Sequence, residues 1–118
     1  TAGTSTVGST TAGSAATGGI TYDLADGNVF FTQATGNITA VNFDNHADGH
    51  SWTLILKQHG SAAKSFSWTD GSGDETIKWI GGFAPDGLST TVSETNIFTF
   101  IQANSTIYGM VVGQGFAA

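Results

Sequence analysis

"SWTLILKQ", Ser51 to Gln58, is the stretch on which the fold turns. In an extended chain Trp52, Leu54 and Leu56 share one face and Thr53, Ile55 and Lys57 share the other, because successive strand side chains point to opposite sides. A helix would scatter the same residues around its circumference.

Related patterns recur along the chain at the short spacing of a sandwich or barrel. "ITYDL", Ile20 to Leu24, is expected as a strand ended by the turn pair Asp26-Gly27. "NVFFTQ", Asn28 to Gln33, and "NITAVNF", Asn37 to Phe43, flank Thr35-Gly36-Asn37 and read as a hairpin. "KSFSWT", Lys64 to Thr69, puts Phe66 and Trp68 opposite Ser65 and Ser67. "TIKWI", Thr76 to Ile80, is a short strand before Gly81-Gly82. "NIFTFIQ", Asn96 to Gln102, sets Phe98 and Phe100 against Ile97 and Ile101, as expected of a strand covered on both faces. "TIYGMVV", Thr106 to Val112, returns across the polar tip Ala103-Asn104-Ser105. Trp68, Trp79, Phe98 and Phe100 are the expected core.

Composition agrees. The chain has 17 Gly, one Pro and many Thr and Ser, while Glu, Lys, Arg, Leu and Met are scarce. Turn formers and β-branched residues dominate, so an all-β fold follows. At 118 residues this is one domain. A domain of that length buries roughly 65–70% of the surface its unfolded chain exposes, enough for a core without staples. The absence of Cys excludes both a disulfide framework and a thiolate metal site.

Nine acids against three lysines and no arginine give a net charge of −6. Phosphate neutralisation requires Lys and Arg, so nucleic acid is excluded as a partner, and anionic membrane surfaces are disfavoured on the same ground. No apolar run reaches the length of a membrane-spanning helix.

Candidate chemistry is sparse. Asp44, His46, Asp48 and His50 alternate within "FDNHADGHSW", and ligands so spaced on a strand would face one metal. Asn45, Ala47 and Gly49 between them argue for a loop, and the twelfth position of an EF-hand reading is Ile55 rather than Glu. Asp70, Ser72, Asp74 and Glu75 form a second acidic loop with oxygen ligands of the calcium type, equally well read as a turn region. His59 beside Gly60 reads as a turn residue. No G-x-S-x-G elbow and no carboxylate pair of readable spacing supports hydrolysis. Trp52, Trp68 and Trp79 could form a sugar platform, but each lies in a strand beside apolar partners. Asn37 and Asn104 stand in N-x-S/T triplets, a pattern common by chance in a Thr-rich chain. The residues therefore point to no catalytic, cofactor or metal site.

Residues 1–19 contain one sizeable apolar side chain, Val7, and cannot build a core. They are expected to form an extended Gly/Ser/Thr/Ala-rich arm lying on a neighbouring subunit, with residues 20–118 as the folded domain.

"LILKQHGSAAKSFSW", "IKWIGGFAPDGLST" and "NIFTFIQANSTIYGMVVGQGFA" together resemble a β-module recurring in virion proteins of tailed bacteriophages. The resemblance runs from about Tyr22 to the end. It rests on Gln58, Trp68, Lys78-Trp79, Gly81-Gly82, Pro85, Leu88-Ser89, Phe98, Phe100, Tyr108-Gly109, Gly113-Gln114 and Phe116. Such modules occur in fibre, tail and capsid-attached proteins, often at the end of the chain. The resemblance implies an antiparallel β-sandwich of jelly-roll type without catalytic residues or cofactor, localised to the virion. It further implies a homotrimer contacting other virion proteins such as the major capsid protein. A capsid decoration role fits the docked arm; a distal tail-fibre module and an adhesin for a host glycan are the alternatives. Three features depart from the family. Asn96 replaces the usual acid, Ile107 a frequent aromatic, and the Asp70–Glu75 loop is longer than the short turn expected.

Overall fold

A computed structural model describes residues 16–68 and 77–117, with side chains from residue 19 onward. Residues 1–15, the acidic loop Asp70–Glu75 and Ala118 lie outside the described residues, and with them most of the expected arm.

The described chain is all-β. Its strands are β1 (Ala16–Asp23), β2 (Val29–Asp44), β3 (Ser51–Lys57), β4 (Ile77–Trp79), β5 (Thr95–Ala103) and β6 (Thr106–Phe116), with one 3₁₀ turn at Ile80–Gly82. They form a single six-stranded sheet in the order β1-β2-β3-β5-β6-β4. The sheet is mixed rather than antiparallel. β3–β5 and β5–β6 are antiparallel, but β1–β2, β2–β3 and β4–β6 are parallel.

β2 explains how short connections join parallel strands. Its first half, Val29 to Gln33, pairs with β3, and its second half, from Ala34 to Asp44, pairs with β1. The end of β1 at Asp23 lies beside Asp44, yet the chain begins β2 at Val29 only six residues later. Six residues reach at most about 20 Å, whereas 16 residues of straight strand would run about 50 Å. The longest dimension of the molecule is 39 Å. β2 must therefore curl back on itself, and the sheet curls with it. The expected hairpin across Thr35-Gly36-Asn37 is thus one continuous, bent strand. Gly36 and Asn37 have no positive φ, so the primed turn a tight hairpin needs is absent. The burial phase also switches: Ala34, Ile38 and Ala40 point inward, then Val41 and Phe43 do.

β3 and β5 follow the period expected of them. Trp52, Leu54 and Leu56 face Phe100, Phe98 and Asn96 across the ladder, all buried. β5 and β6 turn through Asn104 and Ser105, whose φ values of 50° and 60° are those of a two-residue hairpin. Lys64 to Thr69 is not a full strand. Only an isolated parallel bridge joins Phe66 to Ile38, flanked by Ile38 N–H to Ser65 O at 3.0 Å and Ser67 N–H to Ile38 O at 2.9 Å.

The core is a continuous aromatic cluster. Phe43 contacts Tyr22, Trp52 and Phe100, while Trp68 and Trp79 meet Phe98 and Phe100 edge-on, with centroids 5.0–6.1 Å apart, the separations of favourable aromatic pairs. Phe98 and Phe100 are fully buried as expected, but Trp68 and Trp79 are half-buried and pack on the core's margin. Gly109 lies between Phe100 and Trp79 in the sheet, and a Cβ there would sit 2.8 Å from the Trp79 ring. The missing side chain lets Trp79 lie across β6 onto Phe100. On β5's other face Ile97 is half-buried and Ile101 is exposed, so the expected cover on that side is lacking among the described residues.

Candidate functional site

Asp44 to His50 folds as a loop between β2 and β3. It is organised by Gln102, a buried amide on β5. His46 Nδ1 donates to Gln102 Oε1 at 2.6 Å, and Gln102 Nε2 donates to Asp48 Oδ1 at 3.3 Å. Asp48 Oδ1 also accepts the Ser105 N–H at 2.8 Å, tying the loop to the tip of the β5–β6 hairpin. Asn45, at φ 60°, donates its side-chain amide to Asp23 Oδ1. That bond and the Ala25 N–H hold the Asp23 carboxyl below its ordinary range. No group of three or more His, Cys, Asp or Glu able to hold a metal occurs among the described residues.

His59 serves a turn, as its position beside Gly60 suggests. Its Nδ1 accepts the N–H groups of Ser61 at 3.0 Å and Ala62 at 3.1 Å.

A second polar network holds the irregular segment 83–94 against the sheet. Four successive features of its backbone receive side-chain donors. Trp68 Nε1 donates to Pro85 O at 2.8 Å, Gln114 Nε2 to Asp86 O at 2.6 Å, Asn96 Nδ2 to Gly87 O at 3.1 Å and Gln58 Nε2 to Ser89 O at 2.8 Å. Gln58 is fully buried and makes three more bonds: Nε2 to Lys64 O, and Oε1 from the N–H groups of His59 and Lys64. Asn96, also fully buried, accepts the Gly115 N–H at 2.8 Å. An acid at position 96 could accept that bond, but its carboxylate could not donate to Gly87 O. The departure from the family pattern therefore falls at a buried junction, not on a contact surface.

Beside this segment is a shallow groove of about 260 Å³ between residues 63–66 and 86–90. Phe66 is its sole aromatic lining, and that ring lies against Gly87 so closely that a Cβ there would be 2.2 Å away. The ring is committed to packing. None of Trp52, Trp68 and Trp79 is exposed either, so the three do not form an open sugar platform.

The other open feature was missed by sequence reasoning. Ile80, Phe83, Ile101, Tyr108, Met110, Val111, Val112 and Phe116 are exposed, and all lie on β5, β6 or the turn after β4. Tyr108 stands opposite Ile101 across β5–β6, and Met110 opposite Thr99. The signal was present in the alternation of β5, where Ile97 and Ile101 occupy positions that a solvated face would fill with charge.

No family model, curated protein or solved structure matches the chain. No helix among the described residues is long and apolar enough to cross a membrane.

Proposed function

We propose that this chain is a non-enzymatic structural module of a tailed-bacteriophage virion, a capsid decoration protein that docks through its N-terminal segment. The curled sheet acts as a compact, sandwich-like unit in a homotrimer seated on the major capsid protein. One observation carries the reading: residues that bear the resemblance meet in a single network. Gln58, Trp68 and Gln114 grip the segment containing Pro85, Leu88 and Ser89, and Gly109 makes room for Trp79 on Phe100. The spaced polar and glycine residues of that pattern thus have a shared architectural use. Its buried amides Gln58 and Asn96 have their hydrogen-bonding groups directed at backbone, as in a scaffold.

β1 begins at Ala16 and pairs within its own chain, so the segment free to dock elsewhere is residues 1–15. The test is binding of the purified full chain and of a version starting at residue 16 to capsids stripped of accessory proteins. The full chain is expected to saturate symmetry-related shell sites, and the truncated chain to bind at least tenfold more weakly. Labelling confined to fibre tips would replace the decoration role with the fibre role, and binding to neither would overturn the virion reading.

A further inference from the structure

We infer that the β6 surface is a self-association site whose occupant is a second copy of this chain. In the resulting closed oligomer β6 of every copy lies next to the rotation axis. The inference deepens the structural-module reading and rests on it for the purpose of the oligomer.

Three observations support the commitment. The first is area. The eight large apolar residues on β5, β6 and the 3₁₀ turn range from 36% to 85% exposed and average about half. At about 200 Å² for a large side chain, within the aromatic range, they leave on the order of 850 Å² open. The largest apolar patch on a typical monomer is about 300–600 Å². About 800 Å² per partner is what a standard stable interface covers.

The second is charge. From Thr95 to Phe116 there is no Asp, Glu, Lys, Arg or His, in a chain that carries nine acids and three lysines elsewhere. Two copies of a chain with net charge −6 repel each other over most of their surface but meet here without like charges in contact. A partner of different kind would ordinarily be selected by complementary charge, which this surface does not offer. Depletion of charge, with Met and aromatics enriched, is the composition of a homo-oligomer's buried centre.

The third is the open edge. β4 covers β6 only from Ile107 to Gly109, and no other described strand pairs with that side of Met110 to Phe116. Exposed strand edges are ordinarily blunted by Lys or Pro, and this one has neither. Gly81 and Gly82, at φ 80° and 85°, turn the chain away after β4 and leave that edge accessible.

The test is sedimentation of the full chain with paired variants, each checked for native near-ultraviolet circular dichroism. Wild type is expected to sediment as an oligomer at about 10 μM. Val112→Lys, and separately Tyr108→Lys, should each weaken association at least 100-fold, while Val92→Lys on a distant loop should not. Both residues are exposed, so neither change should unfold the domain. The chain has no Cys, so Val112→Cys carries a single spin label, expected to show dipolar broadening between copies that a label at Val92→Cys lacks. A monomeric wild type, or an oligomer unaffected by both lysines, overturns the inference. So does a monomer that begins to associate once residues 1–15 are removed, since the chain's own N-terminal segment would then be the occupant. A monomer that still binds capsids would overturn self-association and leave the virion role standing.

Discussion

Replacing Gln58 with Leu keeps the approximate volume of a fully buried side chain and deletes four hydrogen bonds at once. The groups orphaned are the N–H of His59, the N–H and C=O of Lys64 and the C=O of Ser89. A fully buried orphan costs about 1–3 kcal/mol. His59, Lys64 and Ser89 are half-buried, so water recovers part of the loss. The expected total is about 3–4 kcal/mol, which for a domain of this size lowers Tm by roughly 12–16 °C. Thermal and urea unfolding followed by Trp fluorescence would measure it. Gln58→Glu sharpens the reasoning, because it preserves an acceptor for His59 and Lys64 but aims the second oxygen at two carbonyls. The introduced carboxyl should have its folded pKa raised above the unfolded value of about 4.3. Its deficit is then smallest below that value and grows as pH rises through the folded pKa. A Gln58→Leu loss below about 1 kcal/mol, the range of surface substitutions, would refute the role assigned to this amide. So would a Gln58→Glu penalty that is the same at pH 4 and pH 7.

Phe100→Ala should cost about 3–5 kcal/mol, since the ring is fully buried against Phe43, Trp52, Trp68 and Trp79; a loss under about 1 kcal/mol in urea unfolding would contradict that packing. Gly87→Ala should cost about 1–3 kcal/mol by displacing the Phe66 ring, and unchanged stability would show that the ring moves freely. Burial pushes the Tyr22 phenol upward while its bond to Thr32 partly offsets this. Its contribution to stability is complete below the unfolded value of about 10 and is lost as pH rises above it, so ultraviolet titration should detect Tyr22 phenolate only together with unfolding. Chelator treatment is expected to leave Tm unchanged; a drop of several degrees restored by Ca²⁺ or Zn²⁺ would establish a metal site.

The parts of the fold legible in the sequence are those where one face meets the core and the period is uninterrupted. Trp52, Leu54 and Leu56 gave β3, Phe98 and Phe100 gave β5, and the tip at Asn104-Ser105 gave the hairpin to β6. β2 was not legible, because Thr35-Gly36-Asn37 carries the composition of a turn. It marks a change of direction, but the chain makes that change by bending a paired strand rather than by breaking it. Strand direction was hidden for a related reason. Parallel neighbours ordinarily require a long crossover, and nothing in the short connections announces that one curled strand can replace it. The loop Asp44–His50 was readable as a loop from Asn45, Ala47 and Gly49. Its partner Gln102, fifty-six positions from His46, carries no local signal, nor do Gln58 and Asn96. An amide reads the same in sequence whether it meets water or four backbone groups.

The open β6 surface shows what alternation can and cannot say. Period-two spacing states which residues share a face, and it placed Ile97 and Ile101 correctly opposite Phe98 and Phe100. It does not state what covers a face. Phe98 and Phe100 are covered by the chain's own aromatic cluster, so the inner side is complete. On the outer side Ile101, Tyr108, Met110 and Val112 remain exposed, and Thr rather than Lys or Glu fills the intervening positions. A strand pair apolar on both faces needs two coverings to remove that area from water. One is internal. The second is not among the described residues, and the absence of charge over the whole of β5 and β6 makes another copy of the same acidic chain its most compatible source.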